Sequence, residues 1–316
     1  MIGWSLLCFA AEPAPAPTEP DPALDALAAH YVTILDAPVE EARALAAEML
    51  ALERQFAWQT GRVLLLEGAV ALDLREGDRY LDPEGTAKVL EEWGNPPGTE
   101  SEGMILPAGA RAFGPESWAV VIEWDSDGWI DDSDAATIDY DELLAEMKQG
   151  LAEASVERRK MGLSGLSLDG WAENPRYDAA KHVLYWARTI RDDEGNGTLN
   201  YEVRVLGRSG VLSLNAVADV VDLPRIRTAM EGVRGTAVFQ ETHRYEDYAP
   251  GTDKKAAYGL AALVAGGAIA AKSGLFKGLL VGLLASKKLV VVGAVAAIGA
   301  VRGVWGRLRG RKAGEE

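Results

Sequence analysis

The chain has 316 residues, 48% of them hydrophobic, and a formal net charge of −16, a composition that excludes an intrinsically disordered protein. The charge is uneven, because residues 1–253 carry a net charge of −25 and residues 254–316 carry +9. An acidic body repels phosphate backbones, which argues against nucleic acid as a partner. The single cysteine, Cys8, excludes disulfide bonds and a thiolate metal site within the chain.

The N-terminal residues have the pattern of an export signal. Residues 1–11 are mostly apolar and end in Ala10 and Ala11, although no lysine or arginine precedes the apolar run. Residues 12–22 are rich in proline, as in many linkers. We predict a signal peptide over residues 1–11 followed by a Pro-rich linker, and an ordinary chain terminus is the alternative.

Two helices are predicted next, over residues 23–60. Pro38 separates them, because the residue before a proline avoids the helical conformation and proline suits a first helical turn. The second helix has apolar residues at helical spacing, which predict a packing face: Leu45, Met49, Leu52 and Phe56.

The body of the chain, residues 61–252, is predicted to be an extracytoplasmic α+β domain. One helix begins at Pro83 after the cap Asp82, and another begins after Asp139, where Glu142 completes a capping box. Three strand-like runs follow, joined by short turns: residues 181–191, 198–208 and 210–219. Such turns join neighbouring antiparallel strands, so we expect an antiparallel β-meander sheet with flanking helices.

The acidic stretch EWDSDGWIDDSD, residues 123–134, has two interpretations. In the register of an EF-hand calcium loop, four carboxylates fall at ligand positions: Glu123, Asp125, Asp127 and Asp134. The preceding run AVVIEW favours a strand, whereas an EF-hand loop follows a helix. We therefore favour an acidic β-hairpin that turns at Asp125 to Gly128, with a calcium site as the alternative.

His182 is the candidate catalytic residue. Asp178 precedes it by four residues, a spacing that would orient an imidazole base on a helix. The surrounding run KHVLYWARTIR favours a strand instead, in which the ring would be packed or hydrogen-bonded. No serine has the context of a nucleophile elbow. We favour a non-enzymatic binding or structural module, with a metal-dependent or acid/base enzyme that uses the acidic stretch and His182 as the alternative.

The C-terminal part of the chain is an apolar block. Residues 256–301 contain four charges, all lysines, and their uncharged runs of 16 and 13 residues are shorter than the roughly 20 residues that span a bilayer. Two such runs near one another favour lipid over a second core. We predict transmembrane or membrane-associated helices over residues 253–306 and a basic tail over residues 307–316, and a membrane pore or transporter subunit is a minor alternative.

Glycines four residues apart suit close helix packing and predict a homo-oligomer contact: Gly274, Gly278 and Gly282.

Six motifs occur in a fixed order: EEWGNPP (91–97), GMILP (103–107), GWIDDSDAATIDYDELL (128–144), YDAAKHVLYWA (177–187), LNYEVRVLGRSGVLSLN (199–215) and DKKAAYGLAALVAGG (253–267). This set resembles a bacterial family of membrane-anchored proteins defined only by a domain of unknown function. The resemblance implies an envelope protein with a signal peptide, an extracytoplasmic domain and C-terminal membrane segments. We predict an inner-membrane location with a periplasmic domain, and the lipid bilayer and an unknown envelope protein or ligand as partners. The resemblance implies no activity. Trp129 and Ser133 depart from the family's acidic run, and Ser133 lacks a carboxylate that a metal would use.

Overall fold

The computed structural model describes residues 21–93, 95, 99–114, 116–160 and 164–266. The predicted signal peptide, the linker up to residue 20, residues 267–306 with their spaced glycines, and the basic tail lie outside the described residues. The chain divides into two compact units, Met1–Ala51 and Leu52–Glu316.

The first unit contains the predicted helical segment. Its helices are α1, Pro22–Leu35, and α2, Val39–Glu53, whose last two residues belong to the second unit. Asp21 caps α1 by accepting hydrogen bonds from two backbone N–H groups, and Asp36 ends the helix in the left-handed conformation, with φ of 50°. The break before Pro38 is therefore confirmed.

The second unit is an α+β domain, as predicted. Its strands are β1 Arg62–Leu65, β2 Val70–Asp73, β3 Arg79–Leu81, β4 Gly103–Leu106, β5 Ala119–Asp125, β6 Trp129–Asp131, β7 Leu166–Asp178, β8 Val183–Asp192, β9 Gly197–Leu206, β10 Val211–Asp219, β11 Ala237–Phe239 and β12 Lys255–Gly259. Its helices are α3 Pro83–Glu92, α4 Tyr140–Lys160, α5 Leu223–Val233 and α6 Leu260–Ala265. Short 3-10 turns lie at Leu66–Gly68, Val220–Asp222 and Tyr245–Asp247.

A seven-stranded antiparallel sheet forms the centre of this domain, in the order β3-β4-β5-β10-β9-β8-β7. The predicted meander is its β8–β9–β10 part. The edge strand β7 was not predicted as a strand. A separate three-stranded sheet has the order β1-β2-β11.

Local capping and apolar spacing position the helices. Asp82 caps α3 by accepting a hydrogen bond from the backbone N–H of Gly85, and Asp139 caps α4 in the same way. The apolar stripe of α4 packs against one face of the sheet in a core cluster that includes Leu143, Met147, Leu151, Leu184 and Trp186. This cluster also includes α6, so both helices cover the same side of the sheet.

The predicted hairpin between β5 and β6 is wrong. β5 pairs with β4 on one edge and with β10 on the other, and β6 does not pair with it. The turn does form, because Gly128 has φ of 114° and Asp125 accepts a hydrogen bond from the backbone N–H of Asp127. Beyond the turn, β6 instead pairs in parallel with β12, and the paired residues Trp129 and Lys255 lie 126 positions apart in the chain.

The first residues of the predicted membrane segment belong to this domain. β12 pairs with β6, and α6 places Leu260, Leu263 and Val264 in the core with at most 2% exposure. Within residues 21–93, 95, 99–114, 116–160 and 164–266, no helix has the length and hydropathy to cross a membrane.

A candidate ligand site beside His182

His182 lies in the turn between β7 and β8, outside any helix. Its φ of 52° is left-handed, and its carbonyl accepts a hydrogen bond from the backbone N–H of Leu206. Asp178 does not orient it, because that carboxylate accepts from the backbone N–H of Ala180 and lies 4.0 Å from the Lys181 ammonium. The turn therefore replaces the helical Asp178–His182 pairing that the spacing suggested.

The imidazole of His182 joins a hydrogen-bonded group with Tyr177 and Asp132. The Tyr177 hydroxyl donates to Asp132 Oδ2 at 2.6 Å and lies 3.1 Å from His182 Nδ1. Because that hydroxyl has one proton, its oxygen can accept only if Nδ1 carries the imidazole proton. Burial, followed by the bond to Asp132, raises the pKa of Tyr177 and keeps the phenol neutral. In the neutral imidazole, Nε2 then carries the free lone pair.

Four aromatic rings form a column that starts at His182. The His182 ring lies 4.0 Å from Tyr245, Tyr245 lies 4.9 Å from Trp129, and Trp129 lies 4.3 Å from Tyr248, all centroid to centroid and all stacked. The Tyr245 hydroxyl donates to the carbonyl of Ile130 at 2.8 Å. We call these four rings the aromatic column. It links the β7–β8 turn to β6.

A cavity of about 460 Å³ opens beside His182. Its apolar lining comes from three parts of the chain: Val183, Val205, Leu206, Ala237, Val238 and Phe239. Its charged and polar lining comprises Lys181, His182, Arg234, Arg244, Tyr245 and Glu246. Three permanent cations thus face one carboxylate, in a chain whose first 253 residues carry a net charge of −25. We call this space the His182 cavity.

The four calcium candidates have separate partners. Glu123 lies on β5 opposite Ser213, and Asp125 closes that strand. Asp127 Oδ2 accepts a hydrogen bond from the Tyr258 hydroxyl at 2.8 Å. Asp134 accepts from the first two backbone N–H groups of α6, at 3.2 and 3.3 Å.

These carboxylates are held by different parts of the fold, because Asp125 and Asp127 interact at the turn, whereas Asp134 bonds to the start of α6. In the part of the chain that the structure describes, no group of three His, Cys, Asp or Glu side chains could hold a metal ion. Burial, followed by the nearby Asp127 carboxylate, raises the pKa of Asp125. Calcium binding by these residues stays a prediction.

Sequence reasoning missed the partners of His182. Asp132 was within the acidic stretch but outside the EF-hand ligand positions, and Tyr177 was within the motif YDAAKHVLYWA. No sequence pattern indicated Tyr245, since it lies 63 positions beyond His182 and outside all six motifs. Tyr177 lies on β7, Asp132 directly follows β6 and Tyr245 lies in a 3-10 turn, so the tertiary fold brings these side chains to His182.

The sequence pattern of the family "Protein of unknown function (DUF2167)" matches residues 57–299. The chain belongs to this family. The resemblance to a family defined by a domain of unknown function is thereby confirmed, and every motif quoted above lies within the matched DUF2167 range. No curated protein matches the DUF2167 chain.

Three solved structures show weak likenesses to the DUF2167 chain. A protein of unknown function from Pseudomonas aeruginosa is 18% identical, with 42% of this chain and 80% of that chain covered and a TM-score of 0.24. Cyanobacterial PsbP (CyanoP) from Synechocystis sp. PCC 6803 is 11% identical, with coverages of 58% and 93% and a TM-score of 0.33. LpqN, involved in cell envelope biogenesis of Mycobacterium tuberculosis, is 14% identical, with coverages of 61% and 96% and a TM-score of 0.30. TM-scores of this size do not establish a shared fold.

Proposed function

We propose that the chain is a non-enzymatic binding module that holds a small anion with an apolar portion in the His182 cavity. The observation that carries this proposal is the lining of the cavity, which combines apolar side chains with a cluster of cations. Ligand sites of this kind are mostly apolar and use a few polar groups to orient the ligand. Guanidinium and ammonium groups bind carboxylates and phosphates through charge-assisted hydrogen bonds.

The net negative charge of the chain makes this cation cluster a selective place for an anion. A body with a net charge of −25 repels anions at long range, so an anion is held only where local cations outweigh that field. Lys181, Arg234 and Arg244 provide such a place beside apolar lining residues. The shared apolar and cationic lining favours an amphipathic anion over an inorganic ion.

A membrane tether is the second part of the proposal. We propose that residues 267–306 associate with the inner membrane and that the domain lies in the periplasm. Support comes from the attachment of β12 and α6, which directly precede these residues. Lys255 Nζ lies 2.6 Å from Asp131 Oδ2, and Asp134 caps the start of α6. A segment fixed in this way would hold the domain at the bilayer surface.

Acid/base catalysis is the alternative function, and the Tyr177–Asp132 group favours it. That group fixes the imidazole tautomer, which leaves His182 Nε2 as a base next to the cavity. Among the described lining residues of the cavity, however, there is no Ser, Thr or Cys to act as a nucleophile. The lining therefore supports binding better than covalent catalysis.

Isothermal titration of the full-length chain with 4-phenylbutyrate tests the binding function. Two half-probes are compared with it: 4-phenyl-1-butanol lacks the carboxylate, and acetate lacks the phenylalkyl chain. We expect saturable binding of 4-phenylbutyrate, weaker binding of both half-probes, and about a tenfold or greater loss in the double variant Lys181→Gln, Arg234→Gln. Arg227→Gln, on α5 and ion-paired with Glu173, is the control and should bind as the natural chain does. Equal affinity for acid and alcohol would refute the proposal.

Fractionation of bacterial cells tests the tether. The full-length chain should stay in the membrane pellet after alkaline carbonate extraction, and its domain should be open to protease added to spheroplasts. A chain that ends at Gly266 should be released from the pellet. Recovery of the full-length chain in the soluble fraction would refute the tether and would leave the binding function untouched.

A further inference from the structure

The short strand β11 borders the His182 cavity along its unpaired edge. Among the described residues, β11 pairs with β2 alone. Successive strand residues point to opposite faces, and Val238 is 46% exposed whereas Ala237 and Phe239 are 6% and 7% exposed. All three nevertheless line the cavity. The cavity therefore runs along an edge of β11, and because β2 occupies one edge, it runs along the other.

Two backbone hydrogen bonds show which residues of this strand face β2. The N–H of Gln240 donates to the carbonyl of Ala69 at 2.9 Å, and the N–H of Asp73 donates to the carbonyl of Thr236 at 2.8 Å. In an antiparallel pair such bonded positions recur at every second residue, so Val238 also faces β2. The residues on either side of Val238 therefore direct their N–H and C=O groups away from β2.

These outward groups belong to Ala237 and Phe239, and they have no strand partner in the part of the chain that the structure describes. No turn or loop hydrogen bond satisfies them there either. Both residues are almost fully buried, and buried backbone N–H and C=O groups in native proteins are nearly always paired. An unpaired strand edge is a template for an extended peptide, whose donors and acceptors have the matching spacing.

The cations of the cavity have donors available for a carboxylate at the end of such a peptide. Arg244 forms no ion pair within the described residues. The other two cations have ion-pair partners at 4.0 and 3.9 Å, which is beyond hydrogen-bond distance: Asp178 for Lys181 and Glu231 for Arg234. Glu246 also lines the cavity and sets a limit on the negative charge that can enter. One terminal carboxylate is compatible with this lining.

We propose that the ligand of the His182 cavity is the C-terminal end of an extended peptide. This inference rests on the binding function proposed above and names its ligand class. The peptide adds to β11 as a fourth strand of the β1-β2-β11 sheet, and its terminal carboxylate binds Arg244. Its apolar side chains pack against Val183 and Val205 in the lining. Because β11 has three residues, the added strand is short, and the carboxylate contact supplies much of the affinity.

Isothermal titration of the full-length chain with the peptide acetyl-Ala-Val-Ala-Phe tests the carboxylate contact. The same peptide with a C-terminal amide is the matched probe, since it lacks only the negative charge. We expect saturable binding of the acid and a loss of about tenfold or more in the amide. Equal affinity of acid and amide would overturn the inference.

A pair of N-methylated peptides tests the strand geometry without any protein variant. Each carries one N-methyl group, at either of the two inner peptide bonds. Alternate N–H groups of an added strand face β11, so one methyl group removes a hydrogen bond and the other does not. We expect about a tenfold difference in affinity between the two. Equal affinities would refute the addition of a strand.

The variant Arg244→Gln tests the assigned cation. It should weaken binding of the peptide acid about tenfold and leave binding of the amide unchanged. Arg227→Gln, outside the cavity lining, is the control. Equal affinity of the acid for the two variants would overturn the assignment.

The peptide and 4-phenylbutyrate together separate this inference from the binding function on which it rests. Binding of 4-phenylbutyrate without binding of the peptide acid would overturn the peptide inference alone. Absence of binding of both would overturn both proposals.

Discussion

Asp131 and Lys255 form one of the contacts that attach β12 to the acidic stretch, and this contact predicts a pH dependence. The hydrogen bond from Lys255 is the main cause that lowers the pKa of Asp131 to about 2. A carboxylate with a lowered folded-state pKa stabilises the fold above its ordinary pKa, and this stabilisation is lost as the pH falls towards the folded value.

Urea unfolding at about pH 5 and about pH 2.5 measures this effect. We expect Asp131→Asn to lower the free energy of unfolding at the higher pH and to change it less at the lower pH. Lys255→Gln should behave in the same way, and the double variant should add little to either single change, because both remove one interaction. An equal loss at both pH values would contradict the assignment.

The calcium prediction can also be tested through single residues. Asp127, Asp131 and Asp134 already bond to Tyr258, Lys255 and the start of α6. We therefore expect no calcium-specific rise in the melting temperature of the full-length chain, with magnesium as the control ion. A saturable rise with calcium alone that is lost in Asp125→Asn would show that the stretch rearranges around a metal.

The turn at Gly128 is the element that sends β6 away from the sheet. Its φ of 114° disfavours side chains, and a Cβ there would lie 2.6 Å from the carbonyl oxygen of Lys254. Gly128→Ala should therefore cost about 1–3 kcal/mol of unfolding free energy, measured by urea denaturation. Gly109→Ala is the matched control, since it has φ of 78° and open space around its Cβ. Equal losses in the two variants would mean that the Lys254 contact does not matter.

The elements that the sequence predicted are those with local causes. α3 and α4 begin at the acidic caps Asp82 and Asp139, and the meander follows from short turns. β7 escaped prediction because Gly170 and Pro175 interrupt its alternation, and its pairing with β8 shifts register three times. The β6–β12 pair had no local signal, since its strands are far apart in the chain. A separation of 50 positions likewise hid the contact of Asp132 with His182.

For the molecule as a whole, the boundary between domain and C-terminal block can be tested by truncation. A chain that ends at Gly266 keeps β12 and α6, whereas a chain that ends at Thr252 loses both. Deleting large buried apolar side chains costs about 2–5 kcal/mol each, and α6 buries Leu260, Leu263 and Val264. We expect cooperative thermal unfolding of the longer chain, followed by circular dichroism, and no cooperative transition of the shorter one. Similar melting of both chains would show that α6 contributes little.

We predict that the aromatic column couples the His182 cavity thermodynamically to the C-terminal attachment. His182 and Tyr245 line the cavity, and the next ring, Trp129, belongs to the strand that pairs with β12. A ligand that moves Tyr245 therefore changes the surroundings of Trp129, whose fluorescence would report occupancy from a distance. Linkage is reciprocal. If ligand binding stabilises the β6–β12 pairing by a given factor, separation of β12 from β6 would weaken ligand binding by the same factor. In a tethered protein, this would make the cavity responsive to mechanical load at the membrane.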